Sequence, residues 1–130
     1  MNKPLGILAA FVFVAAAAFA AGTYPDISQD QLKQAIADKA VVLLDANGSD
    51  SFKEGHIPGA IDFDANRDRL ASLLPADKAT LIVAYCGGEK CVAYKAAAAA
   101  AVNLGYTNVK HFAPGISGWK SSGEPTEPGS

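Results

Sequence analysis

Tyr85-Cys86-Gly87-Gly88-Glu89-Lys90-Cys91 holds the residues of this chain whose types and spacing best suit chemistry. An apolar run at 80–85 precedes the segment and an alanine-rich stretch at 92–104 follows it, so it reads as a loop from a buried strand into a helix. Glycines at 87 and 88 let the backbone curl with its N–H groups turned inward, as a nest for an anion. A helix starting directly behind the loop would add unpaired N–H groups and the positive end of its dipole. In such surroundings a thiol pKa falls from about 8.5 to roughly 3.5–7.5. Cys86 is therefore the candidate nucleophile, and Gly87, Gly88, Glu89, Lys90 and Cys91 are the candidate substrate-binding positions. Lys90 supplies the loop's positive charge, with Glu89 beside it. Cys91 has two readings: a small residue packed beside the helix, or a resolving thiol that closes a disulfide with Cys86 or accepts sulfur from it.

These residues need a scaffold, and the flanking pattern provides one. Ser28 and Gln31 have capping-box spacing, worth about 1 kcal/mol for the serine cap, and predict a first helix ending near Asp38 or Lys39. The continuous apolar run 41–44 predicts a strand buried on both faces, with Asp45 at its carboxyl end. One helical turn is expected near 51–54, then the turn-rich connector Gly55-His56-Ile57-Pro58-Gly59-Ala60 and a short strand at 61–63. Asn66 is expected to cap a helix running to about Leu74, with Leu70, Leu73 and Leu74 inward, ended by Pro75. Six alanines at 96–101 favour the long helix and close packing on a sheet, and Gly105 stops it. A last strand at 108–112 and a short helix at 115–121 carrying Trp119 complete the pattern. Strands alternating with helices predict a single α/β domain over 24–123 with a central, mostly parallel sheet; ligands bind at the carboxyl edge of such sheets, where Asp45 and Cys86 both fall. Residues 124–130 have the composition of a flexible tail.

The first twenty residues read differently from the rest. Lys3 gives a positive amino-terminal region, 5–17 an apolar core and Ala18-Phe19-Ala20 a cleavage signal, so 1–20 is expected to be a cleaved signal peptide and the protein periplasmic or secreted. The alternative is an uncleaved helix anchoring it to the inner membrane, the only membrane contact expected. With 50% hydrophobic and 18% charged residues the chain is globular rather than disordered, and its net charge of −2 suggests no nucleic-acid partner. Two cysteines and two distant histidines, His56 and His111, lack metal-site spacing, so neither metal nor other cofactor is expected.

In this order the motifs resemble those of the rhodanese family of sulfurtransferases, in single-domain exported form, over about Ile27 to Pro125. Residues 41–45 with Gly55-His56-Ile57-Pro58-Gly59-Ala60 resemble the family's strand-and-turn motif. Tyr85 to Cys91 with the alanine helix and Leu104-Gly105-Tyr106 resembles its active-site loop and helix. Pro114-Gly115-Ile116-Ser117-Gly118-Trp119 resembles its closing motif. The resemblance implies a rhodanese-like fold and a rhodanese-type (thiosulfate:cyanide-like) sulfurtransferase in which Cys86 takes a sulfane sulfur as a persulfide and passes it to a nucleophile. The implied partners are a small sulfur-containing anion and a thiol or cyanide-like acceptor, and the protein is expected to be a monomer. The alternatives are a thiol–disulfide or redox-sensing protein using Cys86 and Cys91, and a non-catalytic binding or sulfur-carrier module. Phosphatases related by fold or chemistry place an arginine six residues after the cysteine, where this chain has Val92. Three departures from the family pattern stand out. Asp45-Ala46-Asn47 stands where Asp-x-Arg is common, Gly87 and Gly88 replace basic residues, and Pro114 replaces the first of paired glycines.

Supporting roles are expected for Asp45, through backbone hydrogen bonds at the loop edge, and for His56, which fixes its turn. His111 reads as a satisfied, partly buried histidine, Trp119 as a lid on the core, and Arg67 and Arg69 as surface charges.

Overall fold

The computed structural model describes residues 23–129; the leader expected at 1–20 lies outside them. Four strands, β1 (Val42–Asp45), β2 (Ile61–Asp62), β3 (Ile82–Tyr85) and β4 (Val109–His111), form one sheet in the order β2-β1-β3-β4. Every pairing is parallel, with Leu43 opposite Val83, Asp45 opposite Tyr85 and Ala84 opposite His111. The order reverses between β1 and β3, so their carboxyl ends flank a topological switch point, where α/β sheets hold their ligands. The sheet edge at β4 is extended by the segment before the first helix, where Ile27 N donates to His111 O at 2.9 Å and His111 N to Pro25 O at 2.8 Å.

Helix α1 (Gln29–Ala37) has the full capping box, Ser28 Oγ accepting from Gln31 N and Gln31 Oε1 from Ser28 N, both at 3.2 Å. Helix α2 (Ser49–Glu54) follows β1. The helix expected from Asn66 to Leu74 is instead α3 (Phe63–Asn66), a 3₁₀ turn (Arg67–Arg69) and α4 (Leu70–Leu73). Its cap is Asp62, whose carboxylate accepts from Ala65 N at 3.3 Å because the chain turns helical as soon as β2 ends. Breaking the helical period at the 3₁₀ turn rotates Leu73 outward, to 40% exposure, while Leu70 and Leu74 remain buried. Helix α5 (Tyr94–Asn103) ends as expected, with Gly105 at φ +97°, and α6 (Gly115–Ser121) closes the fold.

Strand alternation divides the core into two. Leu44, Ile82, Ala84 and Cys86 pack with Ala97, Ala98 and Ala101 of α5 on one face. Leu43, Val83 and Tyr85 pack with Leu32, Ile57, Phe112 and Trp119 on the other. The methyl-only surface of α5 lets its backbone lie close to the sheet.

The segment after Ser122, whose composition suggests a tail, is placed against the domain. His56 and Glu127 exchange backbone bonds at 3.0 and 2.9 Å, and Gly129 N donates to Lys53 O at 2.9 Å. Trp119 Nε1 donates to Pro125 O at 2.7 Å, and Lys33 pairs with Glu124 at 2.7 Å. Apart from Trp119, the partners lie far away in sequence, which composition cannot register. Among the described residues no helix is long and apolar enough to cross a membrane.

Candidate active site

Cys86 follows the last residue of β3 and is 1% exposed. Its sulfur is bonded to that of Cys91, with the two Cα atoms 6.2 Å apart. The intervening loop turns back on itself where Cys91 N donates to Gly88 O at 3.1 Å. Closing α6 holds the other side: Ile116 N donates to Cys86 O at 2.9 Å and Ser117 N to Gly87 O at 3.0 Å. Gly115, at φ +60°, makes this approach possible; a Cβ there would lie 2.4 Å from Cys86 O and 2.7 Å from Gly88 N. Loop carbonyls are thus engaged by the scaffold. Among the described residues, the N–H groups of Gly87, Gly88, Glu89 and Lys90 have no protein acceptor. A run of uncommitted amides next to a sulfur nucleophile is what an anionic substrate or product needs.

The expected helix start at 92 is corrected. Helix α5 begins at Tyr94, beyond the disulfide, because the turn at 88–91 and the bond to Cys86 occupy the preceding residues. Its cap, Ala93, offers no side-chain acceptor, and its first turn winds tightly, Lys95 N and Ala96 N bonding to Val92 O and Ala93 O at 3.1 and 3.2 Å. The loop amides, rather than the helix end, adjoin Cys86.

Glu89 and Lys90 are exposed, and Lys90 has no ion-pair partner among the described residues. The structure does not bring Asp45 and His56 to the sulfur. Tyr85 and Cys86 are neighbours in sequence but pack on opposite faces of the sheet, and Asp45 goes with Tyr85. The carboxylate, 1% exposed, accepts from Tyr85 OH at 2.7 Å and from Asn47 N at 2.8 Å. Tyr85 OH in turn accepts from Ile57 N at 3.1 Å. Burial raises the Asp45 pKa, against the lowering effect of these hydrogen bonds, and burial with the Asp45 charge raises that of Tyr85. His56 is buried, its Nδ1 2.8 Å from Phe52 O and its ring stacked on Phe52 at 3.7 Å. Asp45 thus holds the backbone at Asn47, and His56 contacts that of α2 at Phe52.

Two further residues touch the loop that sequence reasoning did not assign to it. Asn47, where the family pattern favours arginine, has its Oδ1 3.6 Å from where a Cβ on Gly87 would stand. Ser117 lies 3.8 Å from the same point on Gly88. The closing motif at 114–119 was the available signal for the second, and the departure from Asp-x-Arg at 45–47 for the first. His111 departs from expectation. It is 7% exposed and stacked on Tyr94 at 3.3 Å, with Nδ1 3.5 Å from Asp26, but its Nε2 has no partner. Burial lowers its pKa, opposed by Asp26 and by Glu89 of the loop. Arg67 pairs with Asp64 at 2.8 Å and Arg69 with Asn66 at 2.7 Å, both on the surface. A cavity of about 630 Å³ lies at the opposite, amino-terminal edge of the sheet between Lys39, Val42, Leu81 and Asn108; neither cysteine lines it.

Comparison with known proteins agrees with this fold. A model of the Rhodanese-like domain family matches residues 28–122. An HTH-type transcriptional regulator of Mycobacterium tuberculosis is 37% identical over 91 residues, which are 68% of this chain and 38% of the regulator. This chain thus spans less than half of that curated relative. Among solved structures, a thiosulfate sulfurtransferase from Pseudomonas aeruginosa superposes with a TM-score of 0.66 at 25% identity, over 82% of this chain and 21% of the other. The Rhodanese-like domain of an Anabaena protein gives 0.63 at 25% identity, over 82% and 80%. A 3-mercaptopyruvate sulfotransferase from Escherichia coli gives 0.66 at 21% identity, over 83% and 52%, a likeness of fold alone.

Proposed function

Because the chain belongs to the family of rhodanese-like domains, we propose that it is a sulfurtransferase carrying a sulfane sulfur on Cys86. The observation that carries this reading is the juxtaposition of Cys86, at the switch point of the sheet, with the acceptor-free amides of Gly87 to Lys90. With the disulfide reduced, the Cys86 thiolate attacks the sulfane sulfur of a small anion such as thiosulfate. The donor's S–S bond breaks, sulfite departs with the bonding pair, and Cys86 holds a persulfide. Both persulfide and departing anion are negative, so the same amides serve each step. A thiol or cyanide-like acceptor then attacks the outer sulfur and restores the thiolate. Gly87 and Gly88 keep the approach clear of side chains, Lys90 adds a cation at the rim, and Glu89 disfavours highly charged donors. Asp45 and His56 position the chain behind the loop. No cofactor enters these steps, and the domain acts as a monomer in or beyond the periplasm, or on the inner membrane if residues 1–20 are retained as an anchor.

The test is thiocyanate formation from thiosulfate and cyanide by reduced protein. Cys86→Ser is expected to lower it by at least about a thousandfold, as removal of a covalent nucleophile does, while Cys91→Ser retains it. Normal turnover by Cys86→Ser would overturn the assignment. The bond between Cys86 and Cys91 favours a second reading, thiol–disulfide exchange without sulfane sulfur. That reading expects dithiol oxidation at full rate with no sulfur donor present.

A further inference from the structure

We propose that Cys91 is a second catalytic thiol, which resolves the Cys86 persulfide and releases its outer sulfur as hydrosulfide. The inference rests on the sulfurtransferase reading and adds the fate of the sulfur when no external acceptor arrives. Three observations carry it. First, Cys91 Sγ is bonded to Cys86 Sγ in the folded domain, so it reaches the inner sulfur of a persulfide at that position. Second, the two sulfurs differ in access: Cys86 is 1% exposed, whereas Cys91 is only partly covered and is followed by Val92 at 65% exposure. Third, the loop is anchored asymmetrically. Cys86 and Gly87 are tied to α6 through their carbonyls, while among the described residues the only backbone bond at Cys91 is its N–H to Gly88 O. The buried sulfur is thus the fixed one and the outer sulfur the one that approaches.

The step balances without an outside oxidant. The Cys91 thiolate attacks the inner sulfur of Cys86–S–SH, a new Cys86–Cys91 bond forms, and the bond to the outer sulfur breaks. That sulfur leaves as HS⁻ with the electron pair; it is reduced, the Cys91 sulfur is oxidised from thiolate to disulfide, and the Cys86 sulfur keeps the oxidation level it had in the persulfide. The sulfane sulfur is itself the oxidant. Held five positions away on the same loop, Cys91 competes with dilute external acceptors through the effective concentration of an intramolecular group.

Resetting the enzyme requires a dithiol reductant. It meets the more accessible Cys91 sulfur first, forming a mixed disulfide there and expelling the Cys86 thiolate. The loop amides that serve a persulfide also stabilise this leaving group, and a stabilised thiolate leaves faster. The reductant's second thiol then frees Cys91. Sulfur release is thereby coupled to the supply of dithiol: one turnover per reduction unless an external acceptor takes the sulfur first.

The experiment uses the whole domain, reduced, freed of reductant and kept without oxygen, then mixed with thiosulfate or with inorganic polysulfide as donor. Hydrosulfide release and intact mass are read under non-reducing conditions. The wild type is expected to release one hydrosulfide per chain and finish lighter by two hydrogens, with further release on adding dithiothreitol. Cys91→Ser, and Cys91→Ala beside it, are expected to release none and finish heavier by one sulfur, removable by cyanide. A wild type that keeps the added sulfur while its Cys91 remains open to alkylation would overturn this proposal and leave the sulfurtransferase reading standing. A folded, reduced wild type that neither gains sulfur nor releases hydrosulfide with either donor would overturn both.

Discussion

Asp45 and Cys86 close the carboxyl ends of neighbouring strands, with Asp45 in register with Tyr85, yet their surroundings are opposite. Around Asp45 the polar groups are satisfied: carboxylate, phenol and the amides of Asn47 and Ile57 form one closed chain of hydrogen bonds. Around Cys86 the carbonyls are engaged by α6, but among the described residues the amides of Gly87 to Lys90 are left without protein acceptors. The first arrangement can only hold its shape, since every donor and acceptor in it is used. The second keeps donors available for the anion of the proposed reaction. A closed network on one face of the sheet therefore steadies an open one on the other, and the two should respond differently to substitution.

The largest effect is expected at the joint between loop and scaffold. Gly115→Ala forces a methyl to within 2.4 Å of Cys86 O at a positive φ, so the loop must move. Urea unfolding should show a loss of about 2–3 kcal/mol, and sulfur transfer should fall about a hundredfold as the amides leave register. Unchanged transfer would mean that α6 does not shape the site.

A change in the closed network should act on stability rather than chemistry. Burial raises the Asp45 pKa above its ordinary 3.8. The folded state then binds its proton more tightly than the unfolded state does, so this group's contribution is full below 3.8 and is lost as pH rises through the raised value. The stability difference between wild type and Asp45→Asn should accordingly shift toward the wild type as a series of unfolding curves is taken to lower pH. Sulfur transfer at neutral pH should change less than about tenfold, because the side chain lies across the sheet from the sulfur. A collapse of transfer in folded Asp45→Asn would erase the division between the two networks.

The smallest effect is expected at Lys90, which is exposed. Lys90→Ala should raise the KM for thiosulfate roughly threefold at low salt, with the difference vanishing near 1 M salt, and leave the unfolding midpoint in place. A large, salt-independent loss would place the lysine inside the open network instead of at its rim.

The chain's own pattern of residues determined the α/β alternation, the candidate nucleophile and its glycines, the capping box at Ser28 and Gln31, and the final helix carrying Trp119. These are local signals, carried by residues within a turn or two of one another. Tertiary structure decided the rest. Strand register sent Tyr85 and Asp45 to one face and Cys86 to the other, and a 3₁₀ turn rotated Leu73 into solvent. Long-range backbone bonds docked residues 124–129, and the meeting of α6 with the loop turned Gly115 from a motif letter into a contact. The pairing of Cys91 with Cys86 was open in the sequence, since spacing permits both a bond and a bystander; the turn at Gly88 brings the two sulfurs together. Periodicity reports which side of its own element a residue occupies, but which groups share a site depends on how separate elements meet.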